Sequence, residues 1–236
     1  MSTTEQAGAQ AGPYGLPGTS GRVVVVTGAG GPTGEAVAAR LAARGDTVIG
    51  AGLDEAPGVH AVDLADPEAV RAFAARVAEE HGRADGVVHL VGGWRGSKTF
   101  AETDLADWDF LHRQLVRTLQ NVTLAFEPLL RDSPGSRFAI VSATAAARPT
   151  QGNAAYATAK AAAEAWTLAF ADALRDTPAA ATILVVKALV NDAMRAASPE
   201  RRFPGFTDVK DLAEAVAALW DRPAGEVNGL RWDLTS

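Results

Sequence analysis

The chain has 236 residues, 47% of them hydrophobic and 21% charged, which fits one large globular domain able to bury its own core. It has no cysteine, so disulfides, thiolate metal sites and cysteine nucleophiles are excluded, and no metal ligands are expected. A net charge of −6 without a basic tract argues against a nucleic-acid partner, and no apolar run reaches the roughly 18 residues that cross a membrane.

Residues 1–20 are polar, rich in Gly and Pro, and carry no periodic pattern, so they read as a disordered tail. They lack the charged and apolar blocks of a secretion signal, and a cytoplasmic location is the expectation. Residues 21–236 are expected to form a single domain.

Arg22–Thr27 reads as a buried β-branched strand, followed by a Gly-rich turn and a helix over Gly34–Arg44 that stops at Gly45. Thr47–Ala51 and Val59–Val62 are further strands. Asp66-Pro67-Glu68 opens a helix with a cap, a first-turn proline and an early acid, its apolar face being Val70, Phe73 and Val77. Gly86–Val91 is a strand. Asp104–Leu130 is mostly helix, with Trp108, Leu111, Leu115, Leu119, Val122 and Phe126 three and four apart. Arg137–Ser142 (strand), Ala154–Arg175 (helix), Ala181–Val186 (strand) and Asp208–Trp220 (helix) follow. Leu230, Trp232 and Leu234 alternate as a final strand does. Near-continuous apolar strands alternating with helices predict an α/β fold, a doubly wound parallel sheet covered on both faces. Ligands of such folds sit at the C-terminal strand ends, so the loops there hold the candidate residues.

The first such loop, Thr27-Gly28-Ala29-Gly30-Gly31-Pro32-Thr33-Gly34, joins strand to helix. Glycines there let backbone approach a ligand closely, and the free N–H groups of the helix start suit a pyrophosphate. No Lys-Ser/Thr pair follows, which argues against a nucleoside-triphosphate loop. His89, at the end of the fourth strand, is either a titrating group or a packed ring. Asn153-Ala154-Ala155-Tyr156-Ala157-Thr158-Ala159-Lys160 carries the strongest signal. Tyr156 and Lys160, four apart, share one helix face, and a nearby ammonium is expected to lower the phenol pKa and make it a proton donor and acceptor.

These residues resemble the short-chain dehydrogenase/reductase family over about residues 22–236. Gly28, Gly31 and Gly34 match the TGxxGxxG form of its glycine loop, with Pro32 in place of another glycine. The resemblance implies a Rossmann-type fold and an oxidoreductase of small molecules, with Gly28, Gly31, Thr33, Gly34, Asp63, Leu64, Gly92 and Lys160 around NAD or NADP. Val62-Asp63-Leu64 looks like its adenine-contacting motif. The ribose-binding acid falls on Gly52, with Asp54 and Glu55 just beyond and no basic residue beside them, which leans towards NAD. Leu90-Val91-Gly92-Gly93-Trp94 and the stretch after Val186 are similar to the dihydropteridine reductase branch. Trp94 and Arg95 are either a surface lid or a stacking and anion-holding pair.

Tyr156 is implied as the proton donor or acceptor and Lys160 as its partner. The family's serine falls on Ala143. Ser142 is taken as the carbonyl-polarising residue provided the strand end carries a one-residue irregularity, with Thr144 as the rival. The family's helical asparagine falls on Leu115. Residues 188–207 are expected to form a substrate lid. A homodimer or homotetramer formed through the two long helices is also implied. The alternative keeps the fold and uses Tyr156 for non-redox proton transfer in a lyase, isomerase or cyclase.

Overall fold

The computed structural model describes residues 21–235, so the expected tail at 1–20 lies outside the described residues. The elements in chain order are β1 (Val23–Thr27), α1 (Pro32–Ala43), β2 (Thr47–Gly52), β3 (Val59–Ala61), α2 (Pro67–His81), β4 (Gly86–His89), α3 (Leu105–Leu111), α4 (Thr118–Asp132), β5 (Arg137–Ala143), α5 (Ala154–Ala173) and β6 (Ala180–Val186). Then come β7 (Leu189–Val190), α6 (Asp192–Ala197), β8 (Thr207–Asp208), α7 (Val209–Ala218), α8 (Ala224–Val227) and β9 (Arg231–Asp233).

Seven strands form a parallel sheet in the order β3-β2-β1-β4-β5-β6-β9. β1 is buried along its whole length, as its run of valines requires of a strand covered on both faces. Side-chain alternation sends Val25, Phe138 and Ile140 to a core shared with Phe73, Phe126 and Phe170 of α2, α4 and α5. Val24, Val26 and Ala139 go to the opposite core, with Val37 and Leu41 of α1 and Leu212 and Val216 of α7. This is the doubly wound architecture expected. The strand order reverses between β1 and β4, so a crevice opens at their C-terminal ends.

Local chemistry sets the ends of the elements. The Asp66 carboxylate accepts from the Glu68 N–H at 2.9 Å and Pro67 starts α2, which stops at Gly82 with φ 71°. The long helix of the sequence reading is interrupted. His112–Arg117 is a π-helical turn between α3 and α4. Leu111 and Leu115 pack with Ala159 of α5, whereas Leu119, Val122 and Phe126 join the main core. Residues 188–207 contain the short α6, and β7 pairs in parallel with β8.

Asp85 ties the bottom of the sheet together. Its buried carboxylate accepts from the Val23 N–H at 2.7 Å, from Arg83 Nε at 2.7 Å and from the Ser133 hydroxyl. Asp85→Ala strands a buried N–H and a hydroxyl. The expected loss is on the order of 3 kcal/mol, read as a lower urea midpoint at unchanged m-value.

Candidate active site

Two clefts meet at the crevice. One, of about 610 Å³, is lined by Gly28, Gly31, Gly52, Asp54, Asp63 and Leu64 among others. The second, of about 1110 Å³, runs from Gly28, Gly31, Thr33 and Gly34 past Gly92 to Ser142, Thr144, Tyr156 and Lys160. Gly28, Gly31, Thr33, Gly34, Asp63, Leu64, Gly92, Ser142, Thr144, Tyr156 and Lys160 thus line one cleft or both, and Asp54 does so where Glu55 does not.

The glycine loop is shaped for close approach. Gly28 has φ 73°, and a Cβ there would stand 2.9 Å from the Leu90 carbonyl carbon. Around a Cβ on Gly30 there is open space. α1 starts at Pro32 with no side-chain cap, and the first intrahelical bond is made by the Glu35 N–H to the Gly31 carbonyl. The Thr33 and Gly34 amides precede that bond, as donors to a phosphate must. The residues present thus fit a dinucleotide.

In the smaller cleft, Asp63 caps its own loop by accepting from the Ala65 N–H at 2.9 Å and pairs with Arg113 at 3.1 Å. Arg113 lines this cleft although it lies 50 residues away, a neighbour that no local pattern announces. Asn121 Nδ2 donates to the Leu64 carbonyl at 3.0 Å and holds the same loop against α4. Leu115, where the family's asparagine falls, is buried in the π-helical turn.

His89 is a packed ring. The Thr118 hydroxyl spends its proton on the Gln114 carbonyl at 2.6 Å, so at 3.2 Å it accepts from His89 Nε2–H. Nδ1 then accepts from the Thr27 hydroxyl at 2.8 Å. Burial, helped by the charge of Lys160, pushes the imidazole down to about 3.

Tyr156 and Lys160 do share one face of α5 and enter the larger cleft. Lys160 Nζ donates to the Val141 carbonyl at 2.7 Å and lies 5.9 Å from the centre of the Tyr156 ring. Burial lowers the ammonium to about 8, with Glu164 opposing that shift. The expected lowering of the phenol pKa is reversed. Burial pushes Tyr156 up to about 12, since desolvation disfavours a phenolate more than an ammonium turned to a carbonyl favours it. Tyr156 therefore holds its proton at neutral pH.

The strand end carries no irregularity. β5 and β6 pair without a slip from Arg137↔Ala180 to Ala143↔Val186. Ser142 consequently turns to the α5 face, where its hydroxyl donates to Glu164 Oε1 at 2.6 Å. Glu164 Oε2 accepts from Arg231 Nε at 2.9 Å. The sequence reading missed Glu164, one helical turn beyond Lys160. Its signal was an acid on the face of α5 that meets the sheet. Thr144, one residue past the strand, also lines the cleft.

A family model described as enoyl-(acyl carrier protein) reductase matches residues 21–232. The chain belongs to the short-chain dehydrogenase/reductase family. A probable oxidoreductase, EphD, of Mycobacterium tuberculosis is 33% identical over 169 residues, which cover 65% of this chain and 28% of the relative. A 3β-hydroxysteroid dehydrogenase of Mediterraneibacter gnavus is 32% identical over 102 residues, 37% of each protein. The chain thus spans less than two fifths of the length of either relative. Among solved structures, ligand-free aldohexose dehydrogenase of Thermoplasma acidophilum superposes with a TM-score of 0.77 at 21% identity, covering 91% of this chain and 92% of that one. The 3-ketoacyl-(acyl-carrier-protein) reductase of Brucella melitensis, solved with NADH, gives 0.76 at 22% identity over 91% and 96%. These structural likenesses bear on the fold of this family of oxidoreductases.

The buried His89 yields a pH prediction. The unfolded chain takes up a proton near pH 6.5, which the native ring refuses until about 3, so stability falls as pH falls through that window. The loss reaches on the order of 4 kcal/mol by pH 3. His89→Gln should give a flatter curve of unfolding free energy against pH between 6.5 and 3, measured by urea titration.

Proposed function

We propose that this protein is an NAD(P)-dependent oxidoreductase that interconverts a carbonyl and an alcohol on a small molecule. The observation that carries the reading is the meeting of Tyr156 and Lys160 with the open glycine loop in one cleft. A bound nicotinamide would supply or accept the hydride. Gly28, Gly31, Thr33 and Gly34 would hold its pyrophosphate, Asp63 and Leu64 its adenine, and Gly92 and Lys160 the nicotinamide half.

The protein's own part is the proton and the positioning. In reduction Tyr156 gives its phenolic proton to the carbonyl oxygen, and in oxidation it takes the proton back. A phenol held near 12 keeps its proton at neutral pH and yields it to an alkoxide, a stronger base, and the Lys160 ammonium lowers the cost of the phenolate that is left. Thr144 is the better candidate for the hydrogen bond that holds the carbonyl, because the Ser142 proton is committed to Glu164. Ser142 keeps its place in the cleft wall by anchoring α5. Exposed Leu124 and Leu168 on α4 and α5 support pairing of two subunits through those helices.

Tyr156→Phe should lower turnover by on the order of 10²–10⁴ with cofactor affinity nearly intact. In the same steady-state assay, Thr144→Val should lose on the order of 10² and Ser142→Ala much less. Near-normal turnover in Tyr156→Phe would sink the mechanism. Tight NADH binding without any change in its absorbance across a carbonyl panel would move the protein to proton transfer alone.

NADH should bind more tightly than NADPH in matched fluorescence titrations. Asp54 and Gly52 line the adenosine cleft, and Arg113, its basic neighbour, is occupied by Asp63. A strong preference for NADPH would mean that Arg113 leaves Asp63 for a 2′-phosphate.

A further inference from the structure

The protein carries more acids than bases, 28 against 22, yet the lining of its 1110 Å³ cleft reverses that balance. Arg148, Lys160, Lys187 and Arg201 line it, and among its described lining residues there is no Asp or Glu. Lys160 belongs to Tyr156. Of the other three, Arg148 follows β5, and Lys187 and Arg201 lie in the long connection after β6, Arg201 between α6 and β8. β5 and β6 lie on the far side of β4 from the adenosine cleft, which β2 and β3 border.

Neighbouring cations on α6 and α7 are neutralised. Arg195 pairs with Asp208 at 2.9 Å, and Lys210 with Asp192 at 2.6 Å. Among the described residues Arg148, Lys187 and Arg201 have no such ion pair. Lys187 Nζ reaches only the Pro204 carbonyl, at 3.2 Å. Asp233 acts on Arg148 only through space, its own Oδ1 being taken by the N–H and hydroxyl of Thr235.

Arg201 is held in place without being discharged. Its guanidinium lies 4.7 Å from the centre of the Phe203 ring and 5.5 Å from that of Phe206. Phe203 is buried and has φ 45°, a left-handed backbone that a bulky residue adopts only when its surroundings impose it. Backbone strain is thus used to set an arginine over two rings at the edge of a cleft. The lining also carries apolar Trp94, Leu189, Met194 and Phe206, beside the uncharged polar Thr144, Thr150 and Asn153.

We infer that the substrate is an anion: a carbonyl compound with an apolar body and a carboxylate or phosphate, which Arg148, Lys187 and Arg201 receive while Tyr156 faces the carbonyl. Arg148, Lys187 and Arg201 are exposed at the cleft; cations without an acidic partner attract such a group more strongly than a cation already bonded to an acid, and they penalise a cationic competitor. The inference rests on the proposed reaction for the carbonyl, and on the cleft alone for the anion.

Calorimetric titration with octanoate, octyl phosphate and neutral octanamide tests it, on the full chain, with and without saturating NADH. The anions should bind at least about tenfold more tightly than the amide, and the preference should shrink at high salt. The tighter of the two anions names the head group. In Arg148→Gln/Arg201→Gln the preference should fall several-fold, with octanamide and NADH affinities unchanged. Equal binding of amide and anions, binding of none, or a preference untouched in the double variant overturns the inference. So does a loss of NADH affinity in that variant, which would assign the arginines to the cofactor's phosphates. Failure of NADH to bind the unaltered protein would instead defeat the proposed reaction, and the anion preference would still be read without it.

Discussion

The site depends on a double clamp between α5 and the end of β5. Lys160 donates to the Val141 carbonyl, and one helical turn later Glu164 takes the Ser142 hydroxyl. Two successive strand residues thus hold two successive turns of the helix. Tyr156, one turn before Lys160, is carried into the cleft by this geometry. Arg231 on β9 closes the arrangement by balancing Glu164, so the outermost strand of the sheet steadies the centre of the site. A half-buried carboxylate without that guanidinium would be less well compensated, and the lysine above it would face a different field.

Much of the fold was legible in the sequence because its signals are local. Asp66-Pro67 and Gly82 mark the ends of α2, and the valine run of β1 marks a strand buried on both faces. Tyr156 and Lys160 were legible for the same reason, since a spacing of four fixes a shared helix face. The readings that changed turn on three-dimensional context. Ser142 and Ala143 differ by one residue, and only the unbroken β5–β6 register tells which of them faces α5. The Tyr156 phenol was expected to follow its neighbour's charge, whereas desolvation of the half-buried ring raises its pKa. Arg113 and Glu164 reach their partners across 50 and 22 residues, separations at which a one-dimensional pattern is silent.

His89 illustrates how a polar group can serve as filling in such a sheet. Its two ring nitrogens are satisfied by Thr27 and Thr118, and the second threonine is itself bonded to its own helix. The chain β1–β4–α4 is therefore stitched by three polar side chains in the floor of the crevice, where an all-apolar contact would leave the sheet free to shift against the helix. The neutral ring also leaves Lys160 as the cation at that depth.

The π-helical turn at His112–Arg117 has a consequence for how this chain tolerates change in length. A π turn holds one residue more than the α-helix around it, so the elements on either side are out of phase with one another. Removing a single residue from the turn would restore one continuous α-helix and rotate α3 by about 100° relative to α4. Leu111 would leave its packing against α5, and Phe110 would swing away from Arg95, whose guanidinium lies 4.5 Å from its ring centre. The wall that Phe110 shares with Gly93 and Trp94 would come apart while the sheet stayed whole. In this part of the molecule a one-residue deletion acts as a rotation, and its cost would fall on the mouth of the cleft and not on the core.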